Sequence, residues 1–206
     1  MEDVLEVYKL PYDPMRPVVC LDETNRQLIG ETIKPLPVQS GKPKKYDFQY
    51  ERNGVSNIFM MFEPLAARRY TAVTDTRTKL DFASCLRDLS DKYYPYAEKI
   101  LLVMDNLNTH SLSSLYEAFP PVEARRLAER FEIHYTPKHA SWLNMAEIEI
   151  GVMSRQCLNE RIPSKEIMAS KVAAWTLGRN TNTLTVNWQF TTSDARVKLK
   201  HLYQKY

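Results

Sequence analysis

The chain has 206 residues, 44% hydrophobic and 26% charged, with a net charge of +3. This is ordinary globular composition with length for one substantial core. No apolar stretch approaches the roughly 18 residues that span a membrane, and the acidic start Met-Glu-Asp-Val is not a signal peptide. Cys20, Cys85 and Cys157 lie far apart without ligand spacing, so they read as small buried residues of an intracellular protein, not a disulfide frame or zinc site.

Residues 1–16, with Pro11 and Pro14, lack sustained periodicity and read as a lead-in arm ahead of a single domain over 17–206. Residues 17–22 form a short apolar strand. Residues 31–46 carry Pro35, Pro37, Gly41 and Pro43 and read as a loop or partly extended arm. Residues 47–53 open a strand that Asn53-Gly54 turns. Asn57 to Phe62 is a second strand and Arg69 to Thr74 a third, antiparallel to it if their hairpin is short. A helix follows, with Thr76 or Thr78 as its cap and Leu80, Ala83, Leu86 and Leu89 at helical spacing. The fourth strand is 99–104. Ser111 to Phe119 forms a short helix and Pro121 begins another. Residues 132–136 make the fifth strand, 142–160 are helical, Ser164 caps a helix to about Gly178, and a tail with a short helix from Ser193 ends the chain. Three meandering strands followed by alternating helix and strand predict an α/β fold, a mixed five-stranded sheet with helices on both faces.

Two apolar runs end in acids. Pro17 to Leu21 ends in Asp22-Glu23, and Ile100 to Met104 ends in Asp105-Asn106. An acid at the end of a buried strand is costly unless a cation sits there, and neither run carries a basic residue placed to neutralise it. Glu147, near the start of a predicted helix, is a third acid. Three carboxylates converging from two strands and a helix can all ionise if they ligate hard cations such as Mg²⁺ through oxygen. Two ions about 4 Å apart suit phosphodiester cleavage. A single strand-end Asp is more often a turn former or cap. Positive charge gathers at Lys34, Lys42, Lys44, Lys45 and Arg52, then at Arg68, Arg69, Arg77 and Lys79. These clusters read either as a solvated face or as a DNA phosphate track.

The words around the acids carry a resemblance. Val-Val-Cys-Leu-Asp-Glu at 18–23, Leu-Val-Met-Asp-Asn-Leu-Asn-Thr-His at 102–110, and Tyr-Thr-Pro-Lys-His-Ala-Ser-Trp-Leu-Asn-Met-Ala-Glu-Ile-Glu at 135–149 resemble the three catalytic blocks of mariner-type transposases. The six-thirty group of bacterial insertion sequences is the nearest match. The resemblance implies a ribonuclease-H-like fold and an Asp-Asp-Glu triad at Asp22, Asp105 and Glu147, binding two Mg²⁺ or Mn²⁺ ions. The family places its acid three positions after the Leu-Asn pair, which selects Glu147. Glu149 lies about 200° away around the helix. Met145-Ala146 stand where many relatives have proline and isoleucine. The interval from Asp105 to Glu147 is also longer than is common, with the surplus in Ser111–Arg130.

The resemblance further implies double-stranded DNA as partner, both transposon ends and target at a TA dinucleotide. It implies a homodimer or larger synaptic assembly, and a bacterial cytoplasmic, nucleoid-associated location. Relatives carry helix-turn-helix modules before the catalytic domain, so recognition of specific ends is expected outside this chain. Candidate DNA contacts are Asn106, His110, Lys138, His139, Trp142, Asn144, Lys42, Lys44 and Lys45. Each has a plainer alternative: turn chemistry for Asn106, Asn108 and His110, core packing for Trp142, helix capping for neighbouring Ser141. Glu23 is expected on the opposite strand face, in a surface ion pair. A non-catalytic assembly module, a ribonuclease-H-type nuclease and, formally, a two-carboxylate glycosidase remain alternatives.

Overall fold

A computed structural model describes all residues except 108–110, 139, 187, 201–202 and 204–206. The strands are β1 (Val18–Glu31), β2 (Tyr50–Glu63), β3 (Arg68–Thr74), β4 (Ile100–Met104) and β5 (Phe131–Tyr135). The helices are α1 (Glu2–Val7), α2 (Lys79–Asp88), α3 (Ser113–Ala118), α4 (Pro121–Ala128), α5 (Met145–Gln156), α6 (Lys165–Thr181) and α7 (Thr192–Lys198). One sheet runs in the order β3-β2-β1-β4-β5. The β3-β2-β1 half is antiparallel, and β4 and β5 add parallel. This is the ribonuclease-H-like mixed sheet expected from the sequence.

Strand alternation divides the core in two. Val18, Cys20, Ile58, Met60, Leu101 and Val103 face α1, α5, α6 and α7. Val19, Leu21, Phe59, Met61, Leu102 and Met104 face α2, α3 and α4. Each central strand is apolar on both sides because both faces are covered. The added length between β4 and β5 forms α3 and α4 on the second face, away from α5.

Local chemistry sets the helix starts. Thr78 and Asp81 form a reciprocal capping box on α2, and Thr191 and Asp194 form one on α7. Ser164 caps α6 by accepting from the Ile167 amide. α5 is capped by Asn144, not Ser141, because Ser141–Leu143 forms a separate 3₁₀ turn.

Three expectations need correction. Residues 1–16 are not simply an arm: α1 places Val4, Leu5 and Val7 in the core, since their spacing makes one apolar stripe. β1 does not stop at Asp22 but continues to Glu31, paired with β2 throughout. Asn53-Gly54 is not a hairpin turn. β2 runs through it, the β1–β2 register shifts between Gln27 and Ile29, and Gly54 has a φ of 93°, which glycine tolerates. The chain turns instead in residues 32–49, a ribbon closed by the bridges Leu36–Lys45 and Gln39–Lys42.

Candidate active site

The β1–β4 register brings the first two acids together. Val18 pairs with Leu101, Val19 with Leu102 and Cys20 with Val103. The pairing ends there, and the same offset carried two residues further would set Asp22 opposite Asp105, just past the end of β4. Neighbouring strands lie about 4.8 Å apart, and partners in register point to the same face. Asp22 follows Cys20 in the alternation and Asp105 follows Val103, so both belong to the face that α5 covers.

Asn144 fixes where α5 begins. It is fully buried, and its Nδ2 donates to the Leu21 carbonyl at 2.8 Å. Its Oδ1 accepts from the Ala146 amide at 3.1 Å, and its own carbonyl accepts from the Glu147 amide at 3.1 Å. One side chain therefore caps the helix and ties it to the residue before Asp22. The Tyr8 hydroxyl adds a second tie, donating to the Leu143 carbonyl at 2.7 Å. Glu147 sits half-buried in the first turn of α5, where the helix dipole favours a carboxylate.

Electrostatics register the convergence. Burial pushes the Asp22 carboxyl up to about 7, aided by the negative charges of Asp105, Glu23 and Glu147, while the Glu23 amide, donating at 2.8 Å, partly offsets this. Among the described residues, no three Asp, Glu, His or Cys side chains close to metal-ligating distance. The donor set nevertheless fits a hard cation. It offers carboxylate oxygens only, from the middle of β1, the end of β4 and the first turn of α5, around an acid whose charged form burial and like charge disfavour.

The other expected residues divide. Asn106 and Lys138 are exposed and line a cleft of about 700 Å³ with Asp105, Tyr135, Thr136 and Ser141. His110 and His139, with Asn108, lie outside the described residues. Asn144 is withdrawn from the DNA contacts, because both ends of its amide are used internally and it has no exposed surface. Trp142 is not core. It is partly exposed, stacked near Trp188 at 6.4 Å and edge-on to Phe190 at 5.5 Å. Lys42, Lys44 and Lys45 are exposed on the ribbon, beyond Glu31. Nine residues of strand put that ribbon about 30 Å from Asp22.

The basic cluster from Arg68 to Lys79 is not a free phosphate track. Arg77 pairs with Glu23 at 3.9 Å and Lys79 with Glu117 at 2.6 Å. Arg69 is fully buried. Its Nε and Nη2 grip both Glu149 oxygens at 2.7 and 3.0 Å, and it donates to the Ala67 and Leu184 carbonyls. Arg179 also donates to Glu149 at 2.8 Å. This cluster anchors α5 to β3, α6 and the tail, so it fixes the rotation that presents Glu147. Sequence reasoning placed Glu149 away from the acids but missed its partner, since nothing local marks Arg69 as buried. Tyr135 also lines the cleft, as befits the last residue of a parallel strand. Cys20 is a free, buried cysteine whose thiol burial pushes up to about 12.

No curated protein matches the chain by sequence. Several solved structures share its fold. The Mos1 mariner paired end complex with Mn aligns at a TM-score of 0.57 and 17% identity, covering 88% of this chain and 56% of that one. The Mos1 transposase paired-end complex with left transposon end gives 0.55 and 14%, covering 82% and 52%. The Mos1 strand transfer complex gives 0.55 and 14%, covering 88% and 55%. The chain thus spans about half the length of these neighbours, and at such identities the likeness is one of fold. The family of DDE superfamily endonucleases matches residues 17–168, well over half the chain and all three acids, and the chain belongs to that family.

Proposed function

We propose that this chain is the catalytic domain of a DNA transposase, with Asp22, Asp105 and Glu147 as its triad. The observation that carries the reading is the β1–β4 register, which draws the ends of the two apolar runs together, with the charges of Asp105 and Glu147 acting on buried Asp22. Membership of the endonuclease family and a fold like that of the Mos1 complexes support it. Two Mg²⁺ or Mn²⁺ ions bound by the triad would stabilise the attacking and leaving oxygens of a phosphodiester. Asp22 in β1 and Asp105 just past the end of the neighbouring β4 supply two of the oxygen donors. Glu147 closes the set from α5, held by Asn144 and Glu149. Asn106 and Lys138 line the cleft beside Asp105 and contact DNA phosphate, with His110 and His139 assigned there by sequence alone. The reaction is hydrolysis at a transposon end, then attack of the freed 3′ hydroxyl on target DNA in the same site. The partner is double-stranded DNA in a dimeric or larger synaptic assembly, in the bacterial cytoplasm at the nucleoid. No helix among the described residues is long and apolar enough to cross a membrane.

The test is Asp105→Asn. Nicking of duplex DNA in Mg²⁺ or Mn²⁺ is expected to vanish while DNA binding persists. Undiminished nicking rejects the triad. A saturable Mn²⁺ site lost in Asp22→Ala supports the reading, and its absence from the unmodified protein favours a non-catalytic assembly module.

A further inference from the structure

A second basic surface lies at the other end of α5. A groove of about 620 Å³ opens between the β1–β2 ribbon and the α5–α6 corner, lined by Lys44, Tyr46, Arg155, Lys171 and Trp175. Two of its cations are held in place. Lys44 Nζ sits 4.7 Å over the Tyr46 ring, and Arg161 approaches the same ring at 5.6 Å. Lys171 is fixed by Glu160 at 2.5 Å, the one acid in the lining. Arg155 is exposed and has no hydrogen-bond or ion-pair partner among the described residues.

The groove and the acid cluster lie at opposite ends of the same helix, α5. Asn144 ties the start of α5 to Leu21, next to Asp22. Beyond its end, the Ile162 carbonyl accepts from the Ile29 amide at 2.8 Å, and Arg161 pairs with Glu31 at 2.7 Å. α5 and β1 therefore run side by side, away from the acids and toward the ribbon. Glu147, Gly151 and Arg155 are spaced by four and share one helix face. Gly151 leaves that face low: an added Cβ would meet only the Arg155 guanidinium, at 3.5 Å. Eight helical residues separate Glu147 from Arg155, about 12 Å. That is between three and four base-pair steps at about 3.4 Å each.

We propose that this groove binds the phosphate backbone of the DNA flanking the cut, along a path from the acids over Gly151 to Arg155 and Lys44. The proposal rests on the transposase reading of the acid cluster and adds to it a second anchoring point outside the reacting phosphate.

The test measures binding of a labelled duplex of about 30 base pairs to the 206-residue chain between about 50 and 200 mM salt. Arg155→Gln and Lys44→Gln are each expected to weaken binding on the order of three- to ten-fold and to lower the salt slope by about one. Arg125→Gln, on α4 across the sheet, removes the same charge and serves as control. It is expected to match the unmodified protein. Thermal melting checks that each variant is folded. Affinity and slope unchanged in both groove variants overturn the groove while leaving the triad intact if metal-dependent nicking persists. Equal losses in all three variants also overturn it, because net charge alone then explains binding. An unmodified chain that neither nicks nor binds DNA overturns both readings.

Discussion

The buried pair Arg69–Glu149 offers a sharp energetic test. Both side chains are almost wholly inaccessible, at 0% and 1% exposure, and their contact is bidentate. Removing one partner of a buried pair costs about 3–5 kcal/mol, because the other charge is left stranded. The two removals are not equivalent. Arg69→Met leaves Glu149 its second cation, Arg179, so about 3 kcal/mol is expected. Glu149→Leu leaves Arg69 with carbonyl acceptors alone, the Ala67 and Leu184 oxygens, so about 5 kcal/mol is expected. At roughly 2–4 °C per kcal/mol for a chain of this size, the midpoint falls by about 6–12 °C and about 10–20 °C respectively. The double variant strands only Arg179, whose side chain is 18% exposed and reaches water. It should melt above Glu149→Leu alone. Thermal and urea unfolding, read as a double-mutant cycle, measure all three. Additive losses, or a larger loss from Arg69→Met than from Glu149→Leu, would refute the argument.

Other perturbations follow from single side chains. Asn144→Ala removes a helix cap and strands the Leu21 carbonyl, which should cost about 2–4 kcal/mol in urea unfolding. A change below about 0.5 kcal/mol would mean that the tie contributes nothing, as for an ordinary surface substitution. The two glycines on β2 and α5 should respond with opposite sign. Gly54→Ala places Cβ at a φ of 93° and should destabilise by about 1–2 kcal/mol. Gly151→Ala sits in a helix interior with room for Cβ and should stabilise by about 0.5–1 kcal/mol. Melting shifts of the same sign would contradict this. Glu63 is buried, and burial raises its carboxyl pKa, partly offset by the Tyr94 hydroxyl donating at 2.7 Å and by Arg68. A raised folded pKa favours the protonated form, so this group's contribution is lost as pH rises from the unfolded value of 4.5 through the folded one. Glu63→Gln should therefore gain stability relative to the unmodified protein between about pH 4 and pH 8. A stability difference independent of pH rules the mechanism out.

The sequence by itself marked most of the elements and singled out the three acids proposed as the triad. Apolar runs of strand length, helical spacing and strong caps are local signals, and they located all five strands and the helices from α2 onward. The acids were legible because each closes an apolar run or opens a helix within a distinctive stretch of residues. Tertiary structure decided what depends on partners distant in sequence. α1 looked irregular because six residues carry too short a period to see, yet the sheet face gives its three apolar side chains a place. Asn53-Gly54 carries the same local turn signal in a bulge as in a hairpin, and only the pairing of β1 with β2 separates the two. Arg69 reads as one of a surface cluster until Glu149, 80 residues away, supplies its counter-charge. Asn144 reads as a DNA contact until the Leu21 carbonyl takes its amide. Burial and hydrogen-bond partners are properties of the packed chain, and a short stretch of residues does not carry them.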